Sequence, residues 1–147
     1  MQLHCIDPKR VAEFWPHVRA MLQKAIERGG VSSFDEMERD TLAGRLLLWI
    51  AFDGTIRAAA TTQLADSRLI IAACGGNGMA DWLPLLSRLE AYGKSEGCEA
   101  VRIYGRRGWL RALDGFRESA VILDKPINQP RSLLAYRSQV PASPSPL

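Results

Sequence analysis

A chain of 147 residues, 47% hydrophobic and 24% charged, has an ordinary globular composition and is long enough to bury roughly two-thirds of its unfolded surface in one domain. The net charge of +3 is spread thinly, and the nearest approach to the dense basic patch of a nucleic-acid surface is Arg102, Arg106, Arg107 and Arg111, a group that could equally meet the phosphates of a nucleotide cofactor or be a solvated helix start. No apolar run approaches the ~20 residues of a membrane span, so neither a nucleic acid nor a membrane is the expected partner.

Three cysteines, Cys5, Cys74 and Cys98, have no CxxC spacing and an odd count. They argue against a disulfide framework and for a reducing, cytoplasmic setting. The first residues lack the charged start and apolar core of a signal peptide. His4 and His17 have no metal-ligand spacing, so no metal is expected.

Residues 2–6 predict a short strand. Asp7-Pro8 then opens a helix, with Asp7 as cap and Pro8 in the first helical position. Val11, Phe14, Trp15, Val18, Met21, Leu22, Ala25 and Ile26 recur at helical spacing up to Gly29-Gly30. Pro16 falls inside that pattern and is expected to kink or split it. Ser33-Phe34-Asp35-Glu36 reads as a capping box for a second helix ending near Gly44. The period then shortens. Residues 46–52 predict a buried strand, Asp53-Gly54 a hairpin turn and residues 55–64 the returning strand, with Asp66-Ser67 turning into a third strand over 68–73.

A helix is expected over residues 81–96, capped by Asp81, with Pro84 in its first turn and Leu85, Leu86, Leu89 and Tyr92 on one face. A strand over 99–104, a short helix over 108–113, a turn at Asp114-Gly115 and a final strand over 116–123 complete the pattern. Residues 1–125 are read as one domain and 126–147 as a Pro- and Ser-rich extension with a disordered end. This order predicts an α+β fold, a mostly antiparallel mixed sheet flanked by helices on both faces.

The chemistry concentrates in Cys74-Gly75-Gly76-Asn77-Gly78-Met79-Ala80-Asp81-Trp82, a glycine-rich loop between a strand and a helix. Unpaired N–H groups at such a helix start suit a phosphate or pyrophosphate. A dinucleotide fingerprint would begin at Gly76-Asn77-Gly78, but Asp81 stands at its third glycine and the antiparallel meander denies the parallel unit it needs. Cys74 sits where a helix N-terminus lowers a thiol pKa, though a cysteine in an apolar strand is more often a small core residue. His17 reads as a surface residue and Trp15, Trp49, Trp82 and Trp109 as packing residues.

The element order and two local motifs resemble the GNAT N-acetyltransferase superfamily over residues 1–125. Its phosphate loop follows the pattern Gln/Arg-x-x-Gly-x-Gly/Ala. Here Gly78 and Ala80 match, and Gly75 stands in place of the Gln or Arg. Gly115-Phe116 and Trp109-Leu110 resemble the family's carboxyl-terminal motif, with Arg111 where a tyrosine acid is usual.

The resemblance implies an acyl-CoA cofactor, acetyl-CoA or another, and an amine acceptor. Ala72 and Ala73 would meet the acyl carbonyl and pantetheine arm. Asn77, Gly78, Met79, Ala80 and Asp81 would meet the pyrophosphate, with charge from Arg106, Arg107 and Arg111. Tyr104 is the stand-in acid. Phe14-Trp15-Pro16, Leu48-Trp49-Ile50-Ala51, Cys74-Gly75-Gly76, Asp81-Trp82-Leu83 and Gly105-Arg106-Arg107-Gly108-Trp109 are similar to short acetyltransferase-like proteins of tailed bacteriophages and prophages. Three functions follow: an acyl-CoA-dependent N-acyltransferase, a catalytically degenerate phage virion or accessory protein whose partners are phage structural proteins, or a domain that senses acyl-CoA. A homodimer is compatible with each.

Overall fold

The computed structural model describes residues 1–29, 32–105 and 107–127. Five strands form one sheet in the spatial order of the chain: β1 (Gln2–Cys5), β2 (Leu47–Phe52), β3 (Ile56–Ala65), β4 (Arg68–Gly76) and β5 (Ala100–Ile103). The first three pairings are antiparallel, and β5 joins β4 in parallel. The α+β mixed sheet expected from the sequence is present.

One face carries α1 (Val11–Gly29) and α2 (Phe34–Leu42). Val11, Trp15, Val18, Leu22 and Ile26 make the buried stripe of α1 and pack on Leu48, Ile50, Ala59 and Ala73. The helix runs unbroken through Pro16, so the split that the sequence allowed does not occur. Pro16 lies only five residues after Val11 and faces solvent, so its missing N–H weakens the first turns rather than the buried stripe. Ser33 caps α2 by accepting from the Glu36 N–H, as the capping box predicts. Glu38 of α2 receives Trp15 Nε1 and Arg19 Nε, both at 2.6 Å, and ties the two helices together.

The opposite face carries α3 (Met79–Trp82), a tight 3₁₀ turn at Leu83–Leu85 and α4 (Leu86–Ser95). The single helix expected over 81–96 thus begins two residues earlier and is interrupted where Pro84 removes a donor. Asp81 is inside α3 and does not cap it; that position belongs to Gly78. Leu89 anchors α4 on Trp49, Ala60, Leu69 and Ile71.

After the short α5 (Gly108–Ala112), residues 116–123 form no strand, which corrects the expected final one. Val121, Ile122 and Leu123 are 60%, 65% and 89% exposed, so this segment buries too little apolar surface to hold a ladder position. Most of the proposed extension, residues 128–147, lies outside the described residues. No described helix is long and apolar enough to cross a membrane.

The seating of α1 on β4 gives a direct test. A Cβ at Gly75 would stand 2.9 Å from both the Ala25 Cβ and the Met21 carbonyl oxygen. Gly75→Val should therefore lower the unfolding free energy by about 1–3 kcal/mol through overpacking. Urea denaturation measures it, and an unchanged midpoint would place α1 elsewhere.

Candidate functional site

The site begins with an irregularity in β4. Thr62 pairs with Ile71 and Thr61 with Ala73, so Ala72 has no opposite number in β3. This bulge reverses the alternation of the strand. Leu69 and Ile71 face α4 before it; after it Cys74 faces that side, while Ala73 and Gly75 face α1. The β4–β5 pairing ends at the same place, with Ile71 opposite Ile103. From Ala72 to Gly76 the strand therefore has β3 on one side and no ladder to β5 on the other. The predicted pair Ala72 and Ala73 lies at this opening, Ala72 half-buried and Ala73 buried.

Gly75 and Gly76 belong to the strand and not to a loop. A Cβ at Gly76 would strike the Arg57 carbonyl and come within 2.6 Å of the Ala58 Cα. The turn itself is Asn77-Gly78. Gly78 has φ +67°, a conformation that only glycine adopts cheaply, and it aims the chain into α3. The Asn77 N–H is given to the Arg57 carbonyl at 2.9 Å, and the Asp81 N–H to the Gly78 carbonyl at 2.9 Å. Neither backbone donor is free for an anion. Those of Gly78, Met79 and Ala80 have no backbone acceptor among the described residues.

Arg57 of β3 is the residue that sequence reasoning missed. Its Nη1 lies 3.3 Å from Asp53 and its Nη2 3.1 Å from Asp81, and Nη2 is also 3.1 Å from where a Gly78 Cβ would stand. One guanidinium thus underlies the turn. The Asp81 side chain is 63% exposed, so its pair with Arg57 is worth about 0.2–1 kcal/mol at most. Only the hairpin register, which places Ala58 opposite Gly76, could have pointed to Arg57.

Trp82 is the last residue of α3. It is buried, and its indole N–H has no acceptor among the described residues. Trp109 of α5 packs against the cluster formed by Ala51, Ala58 and Trp82, and its ring would lie 2.8 Å from a Cβ at Gly105. Cys74 shares this layer. Although part of the residue is exposed, burial pushes its thiol up to about 12, opposite to the lowering expected of a reactive cysteine.

The remaining predicted residues are not gathered at the turn. Tyr104, 45% exposed, follows β5 and lines a wide gap of about 1030 Å³ between β5, α4, α5 and residues 114–120. Arg107 is exposed and bonded to Glu118 at 3.2 Å, on the same gap. Arg111 is exposed on α5, and Arg106 lies outside the described residues. No residue of the turn 77–81 lines this gap.

No family model matches the chain, and no curated protein matches it. Solved structures do. A predicted acetyltransferase from Clostridium acetobutylicum with acetyl-CoA superposes with a TM-score of 0.57 at 16% identity, over 85% of this chain and 95% of that one. An aminoglycoside N-acetyltransferase in complex with CoA gives 0.56 at 14%, over 87% and 100%. A ribosomal-protein-alanine N-acetyltransferase from Brucella melitensis gives 0.57 at 10%, over 85% and 100%. The architecture of this chain is therefore that of the GNAT acetyltransferases.

The thiol supplies a pH test. Below pH 9 Cys74 is protonated in both folded and unfolded chains and adds no pH dependence. Between 9 and about 12 only the unfolded thiol ionises, so stability falls as pH rises, by up to about 1.4 kcal/mol per unit. Urea unfolding at pH 8.5 and 10.5 should show a steeper loss in the native chain than in Cys74→Ala. Equal losses would mean that the thiol is solvated.

Proposed function

We propose that this chain is an acyl-CoA-dependent N-acyltransferase acting on an amine. The observation that carries the reading is the strand edge opened at Ala72, which leads directly to the unengaged N–H groups of Gly78, Met79 and Ala80 above the Arg57 guanidinium. Edge and turn together suit an extended arm that ends in a pyrophosphate. The buried Trp82 N–H adds a donor that a bound polar group would satisfy. CoA in the solved structures of the same architecture supports the same class of ligand.

In this reading Ala72 and Ala73 offer backbone to the acyl carbonyl and the pantetheine arm. Gly78, Met79 and Ala80 hold the pyrophosphate by backbone, and Asn77 and Asp81 border it by side chain. Arg107 and Arg111 add positive charge at the α5 side. Acyl-CoA supplies the thioester carbonyl that the amine attacks. The chain's part is to hold the two reactants in line, with Tyr104 as the proton donor.

A second reading keeps the fold without acetyl transfer, in a phage or prophage accessory protein. One observation favours it: Trp109 packs into the Trp82 cluster, at the mouth where an acyl arm would pass.

Calorimetric titration with acetyl-CoA separates the two. Saturable binding to the native chain, reduced at least about tenfold in Gly78→Asp, is expected, because that substitution strains the turn and sets a carboxylate among the donors. No heat at millimolar acetyl-CoA would end the enzyme reading.

A further inference from the structure

We propose that Arg57 is the cationic ligand of the pyrophosphate, and that Asp81 is a built-in anion holding Arg57 until the phosphate displaces it; this rests on the acyl-CoA reading above. In the family pattern a Gln or Arg side chain reaches the phosphate from the position of Gly75. No side chain can do so here, because the Cβ space at Gly75 is filled by Ala25 and the Met21 carbonyl. A positive charge nevertheless stands under the turn, delivered from the neighbouring strand. The Arg57 carbonyl fixes Asn77, and its guanidinium lies beneath Gly78.

The two carboxylates on that guanidinium are not equivalent. Asp53 comes from the β2–β3 turn, its side chain is 31% exposed, and it bonds Nη1. Asp81 bonds Nη2 from the first turn of α3, and its side chain is 63% exposed. Asp81 is thus the partner that can rotate into water, while Asp53 keeps Arg57 in place. A pyrophosphate arriving at Gly78–Ala80 would meet the Asp81 charge head-on unless Asp81 left. Displacement removes that repulsion and transfers Nη2 to a phosphate oxygen, so one charge-assisted bond replaces another.

Removal of either carboxylate lowers the local negative charge, yet opposite outcomes are expected. Asp81→Asn should bind CoA about three- to tenfold tighter than the native chain, with a slightly lower melting temperature from the lost acidic group in the first turn. Asp53→Asn should bind no tighter, because Arg57 loses its anchor. Arg57→Ala should bind about tenfold weaker, with Arg57→Lys recovering part of the loss.

Calorimetry with CoA, 3′-dephospho-CoA and pantetheine locates the effect. The Asp81→Asn gain should persist for 3′-dephospho-CoA, which keeps the pyrophosphate, and vanish for pantetheine, which has none. Equal tightening by both carboxylate variants, or a gain that survives with pantetheine, overturns the exchange. If CoA binds neither the native chain nor Asp81→Asn, the acyl-CoA reading falls with it. If the native chain binds CoA and Asp81→Asn is no tighter, only the exchange falls.

Discussion

The fold around the candidate site depends on one inserted residue. Ala72 adds a position to β4 that β3 does not match, and the strand changes which residues face which layer. Without that step Cys74 would face α1, and Gly75 would face α4. With it, the smallest residue lies under α1 and the thiol lies in the apolar layer under Trp82. The bulge also coincides with the last β4–β5 pair, so one local distortion both opens the edge and directs the strand end toward the Asn77-Gly78 turn.

Small side chains make the distortion affordable. Ala58, Ala59 and Ala60 of β3 lie opposite Gly76, Gly75 and Cys74, which lets helices approach both faces of the same stretch of sheet. On the α1 side Met21 and Ala25 touch Gly75, and Gly29 comes to within 4.0 Å of Gly105 measured from its would-be Cβ. That helix therefore covers one face where β4 and β5 part. The other face belongs to Trp82 and Trp109, so anything entering between the strands meets two indoles. The burial that stabilises this end of the domain thus also narrows access to the site.

Much of this was legible because burial imposes period. The stripe from Val11 to Ile26 marked α1, the Ser33–Glu36 box marked the start of α2, and the Asp66-Ser67 turn has positive φ at both residues, as a tight hairpin demands. The errors have physical sources. Pro16 was expected to kink or split a helix that runs unbroken for 19 residues. Gly75 and Gly76 looked like a loop because glycine disfavours strands, whereas here close approach of α1 and β3 requires them. Residues 116–123 have strand composition but no covering layer. Arg57 was invisible because its role is set by cross-strand register, which depends on the bulge and not on any local pattern.

The protonation chemistry of the site follows from the same packing. Burial raises the Cys74 thiol instead of activating it, and Tyr104 follows Ile103, the last β5 residue paired with β4. The described residues place the Arg57 guanidinium and the N–H groups of the turn at the phosphate end. For the proposed reaction, this arrangement serves to hold the thioester partner. Positioning alone can supply much of a barrier reduction once both reactants are fixed, and the opened edge is built to fix one of them.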